Sequence, residues 1–336
     1  METSAKNELP HLLSRALGCR FALLEEPQSG AMRLFNGFTE GLPSLVVDLY
    51  GRTLVFFIQK ADEEERDWLV RTAREVYLSS LDWVDCIVLK QRSSPDEAKK
   101  RGEVIYGTQP ATRIIENGVT YAVDLMLNQD AGFYLDTRNL RAWLKTEADG
   151  KTLFNTFAYT GSLGVAALAG GAEQVTQIDR NGKFLKLAKE SVRLNGLDVA
   201  RMTCTAVDFF VAVGQMKHSG KSYDMVILDP PFFSITQRGK VDLVNEVMRL
   251  VNKARPLVKD GGRLVLVNNA LYLSGREFIG ALEDLGRDGY ISIETIIPVA
   301  EDVTGYLDTQ VLKAPTAPAP FNHPTKIAVL RVKRKG

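Results

Sequence analysis

Tyr223-Asp224-Met225-Val226-Ile227-Leu228-Asp229-Pro230-Pro231-Phe232-Phe233 is an apolar run closed by an acid, two prolines and two aromatics. The apolar part is short and stops at a turn signal, as a strand buried on both faces does. The prolyl pair fixes the backbone just past the strand end, so carbonyl groups there can point into a cleft. Open α/β sheets place their ligands at this edge, outside the carboxyl ends of the strands. Asp229, Pro230, Pro231 and Phe232 are therefore the first candidates for a reactive centre.

Upstream, Leu153-Phe154-Asn155-Thr156-Phe157-Ala158-Tyr159-Thr160-Gly161 reads as another buried strand running into a turn. Around these two segments strands and helices alternate. Strands are expected at 152–157, 175–179, 202–207, 223–228 and 263–268, with helices from 161 and at 183–194, 241–254 and 275–286. This alternation predicts a parallel, doubly wound sheet. Two more apolar strands, 291–299 and 326–332, flank a segment holding Pro315, Pro318, Pro320 and Pro324, and are expected as an antiparallel pair at the sheet edge.

The part before residue 119 has a different texture. Asn36-Gly37 and Tyr50-Gly51 punctuate three β-rich pieces, which suggests a small antiparallel sheet. A helix is expected over 62–80, with apolar Trp68, Leu69, Ala73 and Val76, then a strand at Cys86-Ile87-Val88-Leu89. A charged loop at 91–103 leads to a hairpin signal at Glu116-Asn117-Gly118. The fold expected is α/β: a Rossmann-like seven-stranded sheet over 119–336, a smaller α+β domain over 31–118, and a lead-in over 1–30.

Composition narrows the function. At 336 residues and 45% hydrophobic, the chain has material for two packed cores. A net charge of +1 argues against a polybasic coat, so any nucleic-acid contact must be local. The three cysteines, Cys19, Cys86 and Cys204, show no metal-ligand spacing, and neither a metal nor a disulfide is expected. No apolar run approaches the ~20 residues that cross a bilayer, and no apolar signal segment opens the chain, so a cytoplasmic protein without membrane contact is expected.

The turn Phe157-Ala158-Tyr159-Thr160-Gly161 opens a helix of small residues, where free N–H groups favour a carboxylate. Asp179 closes the next strand and suits a pair of ribose hydroxyls. Asp208 closes the third and offers an acceptor for an adenine amino group, with Phe209 as an apolar face. Carboxylate, ribose and adenine together describe S-adenosylmethionine. The Gly-x-Gly-x-x-Gly fingerprint of dinucleotide sites is absent. The plain alternative makes Asp179 and Asp208 helix caps. Just upstream, Gly132-Phe133-Tyr134-Leu135-Asp136-Thr137-Arg138 supplies Arg138 for the cofactor carboxylate and Phe133 or Tyr134 as a cover, or else simply Asp136 as a helix cap.

These segments, with Gly41-Leu42-Pro43, Val46-Val47-Asp48, Tyr106-Gly107 and Leu194-Asn195-Gly196-Leu197-Asp198, make the chain resemble the bacterial Rossmann-fold 23S ribosomal RNA methyltransferases that modify cytosine C5 or guanine N7. The resemblance implies S-adenosylmethionine as cofactor, 23S RNA or a large-subunit precursor as partner, and relatives that often form homodimers. Many members carry a PUA domain ahead of the central module, and about thirty residues before position 31 are too few for one.

Methylating cytosine C5 needs a thiolate to add to C6 first. Enzymes of that kind carry it after the fifth sheet strand, where this chain reads Val267-Asn268-Asn269-Ala270-Leu271. Paired asparagines there resemble members acting on guanine N7, and Asp229-Pro230-Pro231-Phe232 fits the acidic-Pro-Pro-aromatic pattern of amino-directed enzymes. Asn268 joins the catalytic candidates, and a ring or exocyclic nitrogen is the expected acceptor. The plain alternatives are a core Phe232 and asparagines serving a turn. Basic clusters at Lys99-Lys100-Arg101, Thr236-Gln237-Arg238-Gly239-Lys240 and Arg331-Val332-Lys333-Arg334-Lys335 are candidate phosphate contacts. Competing readings are a methyltransferase of the same fold acting on a protein or small molecule, and a non-catalytic RNA-binding assembly factor.

Overall fold

Two compact units divide the chain in this computed structural model, which describes residues 3–24, 28–236 and 238–334. One comprises Met1–Leu135 with Ala300–Ala314, the other Asp136–Val299 with Pro315–Gly336. The division falls after Leu135, not at 118, because the hairpin at 113–122 belongs to the first unit: Ile115 N–H donates to Ser29 C=O at 2.7 Å. Positions 1, 2 and 25–27 of the expected lead-in lie outside the described residues, as do Gln237 and Lys335 of the basic clusters.

The first unit runs α1 (Thr3–Arg20), β1 (Ala31–Asn36), α2 (Gly37–Glu40), β2 (Leu45–Tyr50), β3 (Thr53–Ile58), α3 (Glu63–Ser80), β4 (Cys86–Gln91), α4 (Glu97–Arg101), β5 (Glu103–Tyr106), β6 (Arg113–Glu116) and β7 (Val119–Ala122). Its sheet has the order β1-β2-β3-β4-β5. The three β-rich pieces β1, β2 and β3 pair antiparallel as expected, and β4 joins β3 in parallel, which makes the five-stranded sheet mixed. A parallel pair needs a crossover, and α3 supplies it. Asp62 caps α3 by accepting from Glu65 N–H at 2.8 Å, and Leu69, Ala73 and Tyr77 bury one stripe at four-residue spacing. Residues 300–314 return to this unit through a buried ion pair: Arg20 binds Glu40 at 2.9 Å and also donates to the Asp302 carbonyl at 2.8 Å.

The second unit continues with α5 (Arg138–Glu147), β8 (Thr152–Asn155), α6 (Ser162–Ala169), β9 (Gln174–Asp179), α7 (Gly182–Leu194), β10 (Met202–Ala206), α8 (Phe209–His218), β11 (Tyr223–Leu228), β12 (Phe233–Thr236), β13 (Gly239–Asp242), α9 (Val247–Ala254), β14 (Val258–Asn268), α10 (Gly275–Leu285), β15 (Ile291–Ile297) and β16 (Lys326–Val332). Its seven-stranded sheet has the order β10-β9-β8-β11-β14-β16-β15. Strands β10 to β14 in that order pair in parallel, and β16 is antiparallel to both its neighbours. β16 thus sits inside the sheet and β15 at its edge. Leu264, Val265 and Leu266 are all fully buried, the continuous run expected where both faces are covered.

The chain steps outward from β8 to β9 to β10, then returns to β11 on the other side of β8. That reversal between β8 and β11 opens a crevice at their carboxyl ends. The sequence reading missed one element there. Helix was expected from 241, but Phe233–Thr236 and Gly239–Asp242 form a hairpin and α9 begins only at Val247. Asp242 accepts from the N–H groups of Val244 and Asn245, which turns the chain before the helix starts.

Candidate functional site

A narrow pocket lies at the carboxyl ends of β8, β9 and β10, lined by Thr156, Phe157, Asp179, Arg180, Val207, Asp208, Phe209, Phe210, Ser234 and Val241. Four sequence candidates, Phe157, Asp179, Asp208 and Phe209, come together here. Phe157 stacks on Phe209 with ring centres 4.9 Å apart, and Phe210 meets Phe209 edge-on at 5.1 Å. This gives the pocket an apolar wall beside its two carboxylates.

The turn after β8 is built for close approach. Tyr159 takes φ +51°, unfavourable for a residue with a side chain, and its N–H donates to Asp179 Oδ2 at 2.9 Å. Gly161 follows at φ +79°, and a Cβ there would lie 2.4 Å from the Ala188 Cβ and 2.7 Å from Gln177 Nε2. No other residue fits. Thr160 is buried between them.

Asp179 Oδ1 also accepts from Asn181 N–H at 2.8 Å. Each of its oxygens keeps capacity for another donor, since a carboxylate offers about four lone-pair sites. Asp208 caps α8 by accepting from Phe210 N–H at 2.9 Å through Oδ1, and no described residue donates to Oδ2. The capping and ligand readings of Asp208 are thus compatible. Acceptors at the ends of two adjacent strands, with an aromatic wall, fit a nucleoside.

Asp229 follows β11 at the switch point. It is half-buried, and no described residue donates a hydrogen bond to it. Packing around its carboxyl, with the Asp136 charge adding to the effect, pushes its pKa up to about 7. Pro230 is buried, whereas Pro231 is exposed and Phe232 is 49% exposed. Phe232 is therefore not a core residue.

Asp136 does not cap α5. Thr137 holds the cap position without capping the helix, its Oγ1 accepting from Arg141 Nη1 at 2.8 Å, and Asp136 Oδ2 accepts from the Thr325 hydroxyl at 2.7 Å. Asn268 is fully buried: its amide donates to Leu243 C=O at 3.0 Å and accepts from Ala270 N–H at 2.9 Å, while Asn269 is exposed. Asn268 thereby ties the end of β14 to the segment after the hairpin. Lys326 Nζ holds the same loop, donating to Ala270 C=O at 3.0 Å, and burial lowers its pKa to about 8.

Arg138 is half-buried at the first position of α5. Phe133 belongs to the first unit, where its ring packs 5.1 Å from Tyr121 and its carbonyl accepts from Tyr50 at 3.0 Å. The basic tail ends at the opposite edge of the sheet: Arg331 donates to Gly261 C=O and Arg334 to Val258 C=O. It does not share an edge with Lys240. Sequence reasoning missed Ser234, Val241, Thr325 and Lys326. The alternation of Phe233-Ser234-Ile235 was the one signal available for the first two.

The profile of a family described as S-adenosylmethionine-dependent methyltransferase matches residues 32–290. A protein of Aeromonas hydrophila named "Ribosomal RNA large subunit methyltransferase I" is 34% identical over 289 residues, covering 83% of this chain and 72% of that protein. Its namesake in Shewanella denitrificans is 32% identical over 255 residues, covering 71% of this chain and 62% of that protein. The chain therefore spans about three fifths of the length of the Shewanella relatives. The crystal structure of SMU.776 complexed with SAH shares the fold, with a TM-score of 0.84 at 22% identity, covering 97% of this chain and 82% of that one. With the match covering well over half its length, this chain belongs to the S-adenosylmethionine-dependent methyltransferase family.

Proposed function

We propose that this protein methylates a base of 23S ribosomal RNA at a ring or exocyclic nitrogen. The observation that carries the reading is Asp229: a carboxyl poised near neutrality, with no protein donor, next to the exposed Phe232 at the switch point. The relatives named for large-subunit ribosomal RNA supply the substrate class. S-adenosylmethionine, when bound, supplies an electrophilic methyl group on its sulfonium.

In this reading Asp179 accepts from the ribose hydroxyls and Asp208 Oδ2 from the adenine amino group, with Phe157 and Phe209 beside the ring. Thr160, Gly161 and the turn through Tyr159 admit the methionine end, and Arg138 offers its carboxylate a charge partner. Phe232 stacks on the target base, and Pro230 and Pro231 hold the backbone that meets its edge. Where the reacting nitrogen carries a hydrogen, as an exocyclic amino group does, Asp229 accepts its hydrogen bond and then its proton once the N–C bond has formed. A bare ring nitrogen has no proton to give up, and there the carboxylate offsets the positive charge that methylation leaves on the base. Asn268 acts as a positioning residue through the loop it ties.

Nitrogen is favoured over cytosine C5 by the thiols. No cysteine lines the pocket. Cys204 lies inside β10 and Cys86 inside β4 of the first unit, and burial pushes both thiols up, away from the thiolate that C5 chemistry needs. We place the protein in the cytoplasm with its RNA; no described helix is long and apolar enough to cross a membrane.

The test is transfer of radiolabelled methyl to 23S RNA from a strain lacking the protein, followed by mass mapping of the modified fragment. Label on a base nitrogen is expected, and wild-type RNA should take none. Label on C5, or on protein alone, overturns the reading.

A further inference from the structure

Two residues of β9 meet the turn that follows β8. Gln177 and Asp179 stand two apart on that strand, so their side chains share a face. Asp179 holds the turn at the Tyr159 N–H. Gln177 is fully buried and backs what comes next: a Cβ at Gly161 would fall 2.7 Å from its Nε2, and one at Gly164 would fall 2.5 Å from its Cδ. Gly164 sits inside α6, where the backbone suits any residue with a side chain, so its glycine answers to that contact. The Gln177 carboxamide is thus pressed against the first turn of the helix that opens at Gly161, and two backbone positions are bare to receive it.

Hydrogen bonds set the plane of this carboxamide. Asn155, its register partner on β8, donates from Nδ2 to Gln177 Oε1 at 3.1 Å, and Gln177 Nε2 donates to Met202 Sδ at 3.3 Å. A thioether is a weak acceptor, so Asn155 supplies the stronger hold. The arrangement is destabilising in itself. Both residues are fully buried, and Asn155 Oδ1 finds no donor among the described residues. A buried acceptor left without a donor weakens a fold, and two apolar side chains of similar size would avoid that loss. Local rules broken in this way cluster where geometry serves function.

We propose that Gln177, oriented by Asn155, is a positioning residue for the cofactor. It sets where the turn Tyr159–Gly161 and the first turn of α6 stand, and with them the fit of the methionine end of S-adenosylmethionine. The inference rests on the placement of that end given above. Neither amide bonds to Asp179 or Asp208, so the adenosine end is held independently of the pair. A donor fixed at both ends keeps its sulfur in one place, as transfer to a positioned acceptor requires.

The experiment compares two ligands by calorimetry on the full chain. S-adenosylhomocysteine carries the amino-acid end, and 5′-methylthioadenosine lacks it. Gln177→Ala should weaken S-adenosylhomocysteine at least about tenfold, comparable to one hydrogen bond to a charged group, and leave 5′-methylthioadenosine within about twofold of the parent. Gly164→Ala drives a methyl into the Gln177 carboxamide and should show the same selective loss. Joining the two substitutions should restore part of the affinity, because the methyl then enters the space that Gln177→Ala empties. If Gln177→Ala does not fold, Gly164→Ala decides alone, since alanine favours a helix. With a parent that prefers S-adenosylhomocysteine, equal losses for both ligands, no loss, or losses that simply add in the double variant overturn the positioning role and leave the methionine placement standing. A parent that binds the two ligands alike overturns the placement and the inference together.

Discussion

Thr325 donates its hydroxyl to Asp136 at 2.7 Å, across 189 positions of sequence. Thr325 stands just before β16, the strand that runs against its neighbours. Its start therefore lies at the edge where the parallel strands end. The bond fixes a negative charge whose field reaches Asp229 and adds to the effect of burial there. One reversed strand thus tunes the residue placed by β11.

Asp229 makes stability and activity depend on pH in opposite senses. Below its unfolded pKa, about 3.9, the carboxyl is protonated in both states and costs nothing. As pH rises towards the folded value of about 7, the unfolded chain ionises and the folded chain does not, so stability falls. Asp229→Asn should then raise the unfolding free energy at pH 8 by an amount on the order of 2–4 kcal/mol, with a matching rise in Tm, and leave both nearly unchanged at pH 4. Methyl transfer by the parent should climb between pH 6 and 8, and the Asn variant should lose about 100-fold. A flat parent profile, or an equal Tm gain at both pH values, contradicts this.

Asp136→Asn removes the smaller of the two causes that raise Asp229. Without a neighbouring negative charge the carboxylate forms more easily, so the midpoint of the pH–rate profile should move to lower pH. The shift should stay under about one unit, because desolvation remains. A midpoint that rises, or does not move, shows that the charge of Asp136 does not reach the reacting group.

Asp208 separates its two roles by substitution. Asp208→Ala removes both the α8 cap and the second oxygen; Asp208→Ser keeps a capping oxygen and loses the free one. Thermal stability should fall by about 1 kcal/mol for Ala and scarcely for Ser, while both should bind S-adenosylmethionine at least tenfold more weakly by calorimetry. Full affinity in the Ser variant would restrict Asp208 to capping.

Much of the site was legible because its residues are strand ends. A buried apolar run followed by Asp179, Asp208 or Asp229 gives both the sheet and the acid at its edge, whatever the register. The hairpin was not legible: Phe233–Thr236 is four residues long, and Val241, Leu243 and Val247 invite a helical reading unless Asp242 is known to turn the chain. Thr325 and Lys326 were invisible for another reason. Their roles depend on β16 lying inside the sheet and reversed, and nothing local to 326–332 states which neighbours it takes. Asp136 was legible as an acid before a helix, but its partner was not.

The buried ion pair of the first unit poses the same problem and yields a sharp expectation. Arg20 and Glu40 are 0% and 1% exposed, and Glu40 also accepts from Asn36 N–H at 2.7 Å and from the Thr309 hydroxyl. Arg20 reaches the Asp302 carbonyl, so a single guanidinium joins α1, α2 and the returning 300–314 segment. Arg20→Met leaves a carboxylate buried with no cation and should cost about 3–5 kcal/mol in denaturant unfolding. Arg20→Met with Glu40→Gln removes the stranded charge and should recover at least half of that loss, since what is costly is the unpaired ion rather than the missing bond. A single variant that costs under about 1 kcal/mol, or a double variant no better than the single, would show that the return of 300–314 is held by apolar packing instead.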